Sequence, residues 1–188
     1  DTLVVADMPI MSYQISLEDA LRNAGRLLKE GGAEAVKMEG GKRILPQVKA
    51  CVDAGIPVMG HLGMTPQSVN QFGGFKTQGK KNHEADTLIK DAIALQNAGA
   101  FAIVLEKIPA TLAKEITDKL DIPTIGIGAG TDTDGQILVT QDMLGMYEKF
   151  KPKFVRLYAK LATEIKEAVN DYSKDVKNST FPSEDESF

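Results

Sequence analysis

Short apolar runs alternate with amphipathic stretches at least five times along this 188-residue chain. That rhythm restricts the fold more than any other feature. Each run is short enough for a buried strand, and each stretch is periodic enough for a helix lying over it. The first run is Leu3–Ala6. Ser16 then reads as a helix N-cap with Asp19 three residues on. Leu17, Ala20, Leu21, Ala24, Leu27 and Leu28 follow at helical spacing until Gly31-Gly32. Strands are expected at Ala35–Met38, Pro57–His61, Phe101–Leu105 and Thr124–Ile127, and a weaker one at Gln136–Val139. Helix faces are marked by Ile44, Leu45, Val48 and Val52, then by Ala85, Leu88, Ile89, Ala92 and Ile93, then by Leu112, Ala113, Ile116 and Leu120. A Gly-rich loop separates His61 from the second of these helices, running from Gly63 to about His83.

Repeated strand–helix units argue for a parallel sheet with helical crossovers. Two closures satisfy the pattern, an open doubly wound sheet or a (β/α)₈ barrel. A full barrel takes about 250 residues, so six units in a chain of this length suit a barrel without its first two strands. The expected organisation is one barrel domain with C-terminal helices over residues 1–175 and a polar surface tail over 176–188. Phe154, Tyr158, Leu161, Ile165, Ala168 and Tyr172 form a heptad-like seam expected on one long helix.

Composition narrows the function classes. Acidic residues outnumber basic ones 26 to 22, a net charge of −4, so no basic field invites nucleic acid. No apolar run reaches the roughly 18 residues of a membrane span. A single cysteine, Cys51, allows neither an internal disulfide nor a cysteine metal cluster. It lies on a helix flank and reads as core filler.

In parallel α/β folds the working groups sit where strands end. Here the first run ends at Asp7, the second carries Lys37 and ends at Glu39, the third ends at His61, and the fourth ends at Glu106. Lys37 and Glu39, two apart, share one face of their strand. A lysine in an apolar run is costly unless paired or functional. It is either half of a salt bridge to Glu39 or Glu106, or a cation that receives a substrate carboxylate. Asp7 and Glu39 are hard oxygen donors on adjacent strands and suit Mg²⁺. Zinc is disfavoured with only His61 and His83 present. Glu106 is a candidate general base. His61 is as readily a structural group as a catalytic one. The Gly126–Gly130 run lacks the spacing of a nucleotide loop and more readily serves a tight turn.

Several motifs carry a specific resemblance: Ala6-Asp7-Met8-Pro9, Val36-Lys37-Met38-Glu39-Gly40-Gly41, Gly60-His61-Leu62-Gly63-Met64-Thr65-Pro66-Gln67-Ser68, Phe72–Lys76, Val104-Leu105-Glu106, Ile125–Gly130, Asp134–Val139 and Phe181-Pro182. In this order they resemble ketopantoate hydroxymethyltransferases over almost the whole chain. The resemblance implies a (β/α)₈ TIM barrel of the phosphoenolpyruvate/pyruvate superfamily. It implies transfer of a hydroxymethyl group from the co-substrate 5,10-methylenetetrahydrofolate to 3-methyl-2-oxobutanoate, giving 2-dehydropantoate for pantothenate synthesis. It also implies a cytoplasmic homo-oligomer, a decamer in the family type. Asp7 and Glu39 would bind Mg²⁺, Asp7 and Lys37 would contact the keto acid, and Glu106 would accept the proton. His61 would be a further polar group at the site. The chemistry these groups support is enolate formation stabilised by Mg²⁺.

The family's first two strands, with an Asp-Ser pair that serves metal and substrate, have no counterpart here, and an N-terminal piece is expected to be missing. Two other functions fit the same residues. One is a Mg²⁺-dependent carbon–carbon lyase of 2-oxo-acid adducts, distinguished by folate independence. The other is a truncated, non-catalytic subunit.

Overall fold

Ser16 opens the first helix as its spacing predicts. In the computed structural model, which describes residues 2–188, the Ser16 Oγ accepts the Asp19 N–H at 3.1 Å. Glu18 and Asp19 occupy the first turn and Arg26 and Lys29 the last, matching the helix dipole at both ends. The elements then run β1 (Val5–Asp7), α1 (Leu17–Lys29), β2 (Ala35–Glu39), α2 (Leu45–Asp53), β3 (Val58–Gly63), α3 (Val69–Phe72), α4 (Asn82–Asn97), β4 (Ala102–Glu106), α5 (Ala110–Thr117), β5 (Thr124–Ile127) and β6 (Gly135–Gln136).

The strands form one sheet in the order β1-β2-β3-β4-β5-β6, with every neighbouring pair parallel. A doubly wound sheet reverses its strand order at a switch point. This one never reverses, so its winding is that of a barrel. β1 and β6 are the two edges of the six-stranded arc.

The two faces of each strand differ. Val36 and Met38 of β2, Val58 and Leu62 of β3, and Ile103 and Leu105 of β4 pack against the helices. Their partners include Ala20 and Ala24 of α1, Val48 and Cys51 of α2, Ala92 and Leu95 of α4, and Leu112 and Ile116 of α5. Burying each large aliphatic side chain stabilises by about 1.5–3 kcal/mol, so this layer holds the fold together. The opposite face carries Lys37, Glu39, His61 and Glu106.

Cys51 is fully buried in that layer, and burial pushes its thiol up to about 11. Protonated and out of solvent, it should react only after global opening. N-ethylmaleimide labelling is expected to be at least about 10³-fold slower in native buffer than in denaturant. Comparable rates would place the thiol at the surface.

Three departures from the sequence expectation have physical causes. The loop from Gly63 to His83 is partly ordered, with a 3₁₀ turn at Pro66–Ser68 and the short helix α3. The sixth strand stops at Gln136, because Val139 is already the N-cap of α6 (Thr140–Met143). The seam is shorter than expected, for only its part from Leu161 onward lies on α7 (Leu161–Lys177). Phe154 and Tyr158 precede that helix. The Tyr158 and Leu161 N–H groups bond the Met143 and Leu144 carbonyls at 2.8 and 3.1 Å instead.

The chain divides into two compact units, Asp1–Ile137 and Leu138–Phe188. The first holds the sheet and the five helices α1–α5. The second holds α6 and α7. Among the described residues no helix is long and apolar enough to cross a membrane.

Candidate active site

Strand register brings the polar strand ends together. Asp7 lies beside Lys37, Glu39 beside His61, and Glu106 beside Gly63. Paired residues of parallel strands point to the same face, so Lys37, Glu39, His61 and Glu106 share the face away from the helices. The Lys37 Nζ lies 2.5 Å from the Asp7 Oδ1 and 3.3 Å from the His61 Nδ1. His61 in turn approaches Glu39 (Nδ1 to Oε1, 3.8 Å) and Glu106 (Nε2 to Oε2, 3.2 Å). All five residues that the sequence marks at strand ends therefore form one connected cluster. The Lys37 partner is Asp7 rather than either glutamate.

His61 is the hub. Its side chain is 3% exposed. Nδ1 faces an ammonium, which only donates, so Nδ1 is the unprotonated nitrogen and the proton sits on Nε2. Nε2 is near Glu106 but off the line of a hydrogen bond, and among the described residues it is left buried without a partner. A buried N–H without an acceptor costs about 1–3 kcal/mol. A ligand oxygen placed between His61 and Glu106 would relieve that cost.

Charge balance bears on the metal expectation. Three carboxylates face one ammonium and one imidazole, so negative charge is left uncompensated in either form of the ring. Glu39 is nearly enclosed, and burial raises its carboxyl above the usual range although the Gln67 backbone N–H, His61 and Lys37 pull the other way. Its Oε2 accepts that Gln67 N–H at 2.9 Å, whereas among the described residues no hydrogen bond reaches Oε1. A hard divalent cation suits such a donor set. Among the described residues no group of three or more ligating side chains gathers. Asp7 and Glu39 would offer such an ion two carboxylates and leave its other positions to water or substrate, the habit of Mg²⁺.

Sequence reasoning missed two contributors. Tyr13 is fully buried 26 residues before Glu39, and its hydroxyl accepts the Glu39 N–H at 3.0 Å. Burial pushes its phenol up to about 12, so it stays protonated. Gln67 lies within a quoted motif, but nothing in the motif announces that its N–H holds Glu39. Lys107 directly follows Glu106 with a left-handed backbone (φ 50°), and its ammonium is tied to the Phe75 carbonyl. The Gln78 N–H also bonds the Lys107 carbonyl at 3.1 Å, so the Gly-rich loop is fastened over the end of β4.

Gly63 has no room for a side chain. Its φ is +91°, and a Cβ would sit 2.2 Å from the Glu106 backbone oxygen. Backbone cannot yield cheaply, so Gly63→Ala is expected to cost about 2–3 kcal/mol in urea unfolding. An unchanged midpoint would contradict this packing.

The sequence profile of the family described as ketopantoate hydroxymethyltransferase matches residues 1–184. The chain belongs to this family. It is 59% identical over 188 residues to the 3-methyl-2-oxobutanoate hydroxymethyltransferase of Syntrophus aciditrophicus, covering all of this chain and 69% of that one. It is 60% identical over 187 residues to the protein of the same name from Clostridium acetobutylicum, covering 68% of that chain. Among solved structures, a protein assigned as a phosphonomutase from Burkholderia cenocepacia superposes with a TM-score of 0.50. At 14% identity, over 67% of this chain and 55% of that one, it shows the fold alone. The six parallel strands in sequential order thus match the fold of part of that structure.

Proposed function

We propose that the chain transfers a hydroxymethyl group from 5,10-methylenetetrahydrofolate to 3-methyl-2-oxobutanoate, giving 2-dehydropantoate. The carrying observation is the connected Asp7–Lys37–His61–Glu39/Glu106 cluster in a chain whose relatives bear that name. Glu106 takes the proton from C3 of the keto acid. Lys37, 17% exposed and already beside a carboxylate, pairs with the substrate carboxylate. The His61 Nε2–H meets the oxygen on which negative charge grows, and so acts on the transition state. Asp7 and Glu39 would hold Mg²⁺, which when bound draws electron density from the keto-acid oxygens. The C3 carbanion equivalent forms a carbon–carbon bond to the folate methylene, and both carbon–nitrogen bonds of that methylene break in turn, the second as water adds its hydroxyl. The two folate nitrogens keep the bonding electron pairs and take up the proton removed from C3 and the proton released by water.

The folate is assigned to the side of the Gly-rich loop. A cavity of about 420 Å³ opens there, lined by Gly40, Arg43, Gly63, Thr65, Phe72 and Asp91 among others. Its lining reaches Gly63, the register partner of Glu106. A homo-oligomer in the cytoplasm belongs to the same reading. Exposed Ile165, Val169, Tyr172 and Val176 along α7 support self-association.

Incubation with both substrates and Mg²⁺, followed by mass detection of 2-dehydropantoate, tests this function. Product that depends on the folate is expected. Cleavage of a 2-oxo-acid adduct without any folate requirement would assign a lyase instead.

A further inference from the structure

We infer that Gln67 and Tyr13 are positioning residues that lock the Glu39 carboxylate and the end of β1 into one frame. The inference rests on reading Glu39 as a cation-holding group. Gln67 is bonded through its backbone N–H and through both polar atoms of its side chain. Its N–H donates to the Glu39 Oε2 at 2.9 Å, and its Nε2 donates to the Met8 carbonyl at 2.8 Å, one residue beyond Asp7. Its Oε1 accepts from the Tyr13 hydroxyl at 2.9 Å and from the Gln14 Nε2 at 3.0 Å. The amide orientation is therefore forced, because a flip would set donor against donor and acceptor against acceptor. The Tyr13 oxygen has one proton to give. The Gln67 Oε1 at 2.9 Å is nearer than the Glu39 carbonyl at 3.2 Å, so the proton goes to Gln67. The same oxygen accepts the Glu39 N–H at 3.0 Å.

The consequence is a division of labour within one carboxylate. The Glu39 Oε2 is pinned by Gln67, while Oε1 has no hydrogen bond among the described residues and lies 3.8 Å from the His61 Nδ1. The clamp also links three strand ends, through Met8 after β1, Glu39 at the end of β2 and Gln67 beyond β3. The separation between the Asp7 and Glu39 carboxylates then depends on two residues that touch neither substrate nor ion. Groups that orient a ligating carboxylate typically change metal affinity by about 10–100-fold when removed.

Two near-isosteric variants of the full chain test this, Tyr13→Phe and Gln67→Leu. Mn²⁺ is the probe, with its dissociation constant read by electron paramagnetic resonance. The Glu39 amide is followed by hydrogen exchange, and the fold by circular dichroism. Both variants should weaken Mn²⁺ by about tenfold or more. Tyr13→Phe should speed exchange of the Glu39 amide by about tenfold while β4 amides stay protected. In the folate-dependent assay the keto-acid KM should rise with the Mn²⁺ constant, and kcat should stay within about threefold because Glu106 is untouched. A lowered melting temperature with unchanged Mn²⁺ binding and unchanged KM would mean a merely structural role and overturn the inference. Failure of the parent chain to bind Mn²⁺ would sink the metal reading by itself. The clamp would then be decided by the Glu39 amide, and unaltered exchange would reject it. Gln67 is only half-buried, so Gln67→Leu decides the matter if Tyr13→Phe does not fold.

Discussion

Glu106→Gln is expected to slow C3 proton exchange of 3-methyl-2-oxobutanoate by about 10²-fold or more. The substitution keeps the size and polarity of the side chain but removes the base. Glu106 is well placed for that role. It closes β4, its side chain is 13% exposed, and the buried His61 Nε2 lies 3.2 Å from its Oε2. Glutamine could still approach His61, so the fold and the metal affinity should be retained. Deuterium exchange at C3, followed by proton nuclear magnetic resonance, measures the effect. Exchange at the parent rate with intact Mn²⁺ binding would remove Glu106 from the role.

Asp7→Ala is expected to abolish divalent-cation-dependent binding of the keto acid, weakening it by about 10²-fold or more. The effect on stability should be small by comparison. The Asp7 side chain is 67% exposed, and an ion pair so open to water contributes about 0–1 kcal/mol. That contrast separates a ligand role from a structural one. If Asp7 served only to neutralise Lys37, its loss would alter binding little more than it alters stability. Calorimetric titration of the keto acid with and without Mg²⁺ gives the first quantity, and urea unfolding gives the second. Wild-type affinity in the variant would exclude Asp7 from the site.

The strand ends were legible because each apolar run stops on a polar residue. Asp7, Glu39, His61 and Glu106 are those residues, and period two places Lys37 with Glu39. The sheet order was also implied, since sequential units with helical crossovers leave few alternatives. What joins the residues was not legible. The sequence offered Glu39 or Glu106 as the partner of Lys37, and only the register Asp7↔Lys37 brings in Asp7 instead. His61 as a hub depends on which side of its ring faces the ammonium, and no spacing encodes that. Tyr13 lies in a stretch without period, and its partners are 26 and 54 residues away. The Gln67 contact to Glu39 runs through a backbone N–H, which every non-proline residue possesses. The seam misled for a related reason. Phe154 and Tyr158 keep the heptad spacing, yet nearby N–H groups are taken by carbonyls at the end of α6 rather than by a preceding helical turn.

The central claim is that this strand-end cluster enolises a small 2-oxo acid before any one-carbon donor arrives. Its most direct measurement is the C3 proton signal of 3-methyl-2-oxobutanoate in heavy water, with the unaltered chain and Mg²⁺ present and folate omitted. Loss of that signal well above the protein-free rate, and suppressed when Mg²⁺ is chelated, is the expected result. A rate equal to that of buffer alone would contradict it.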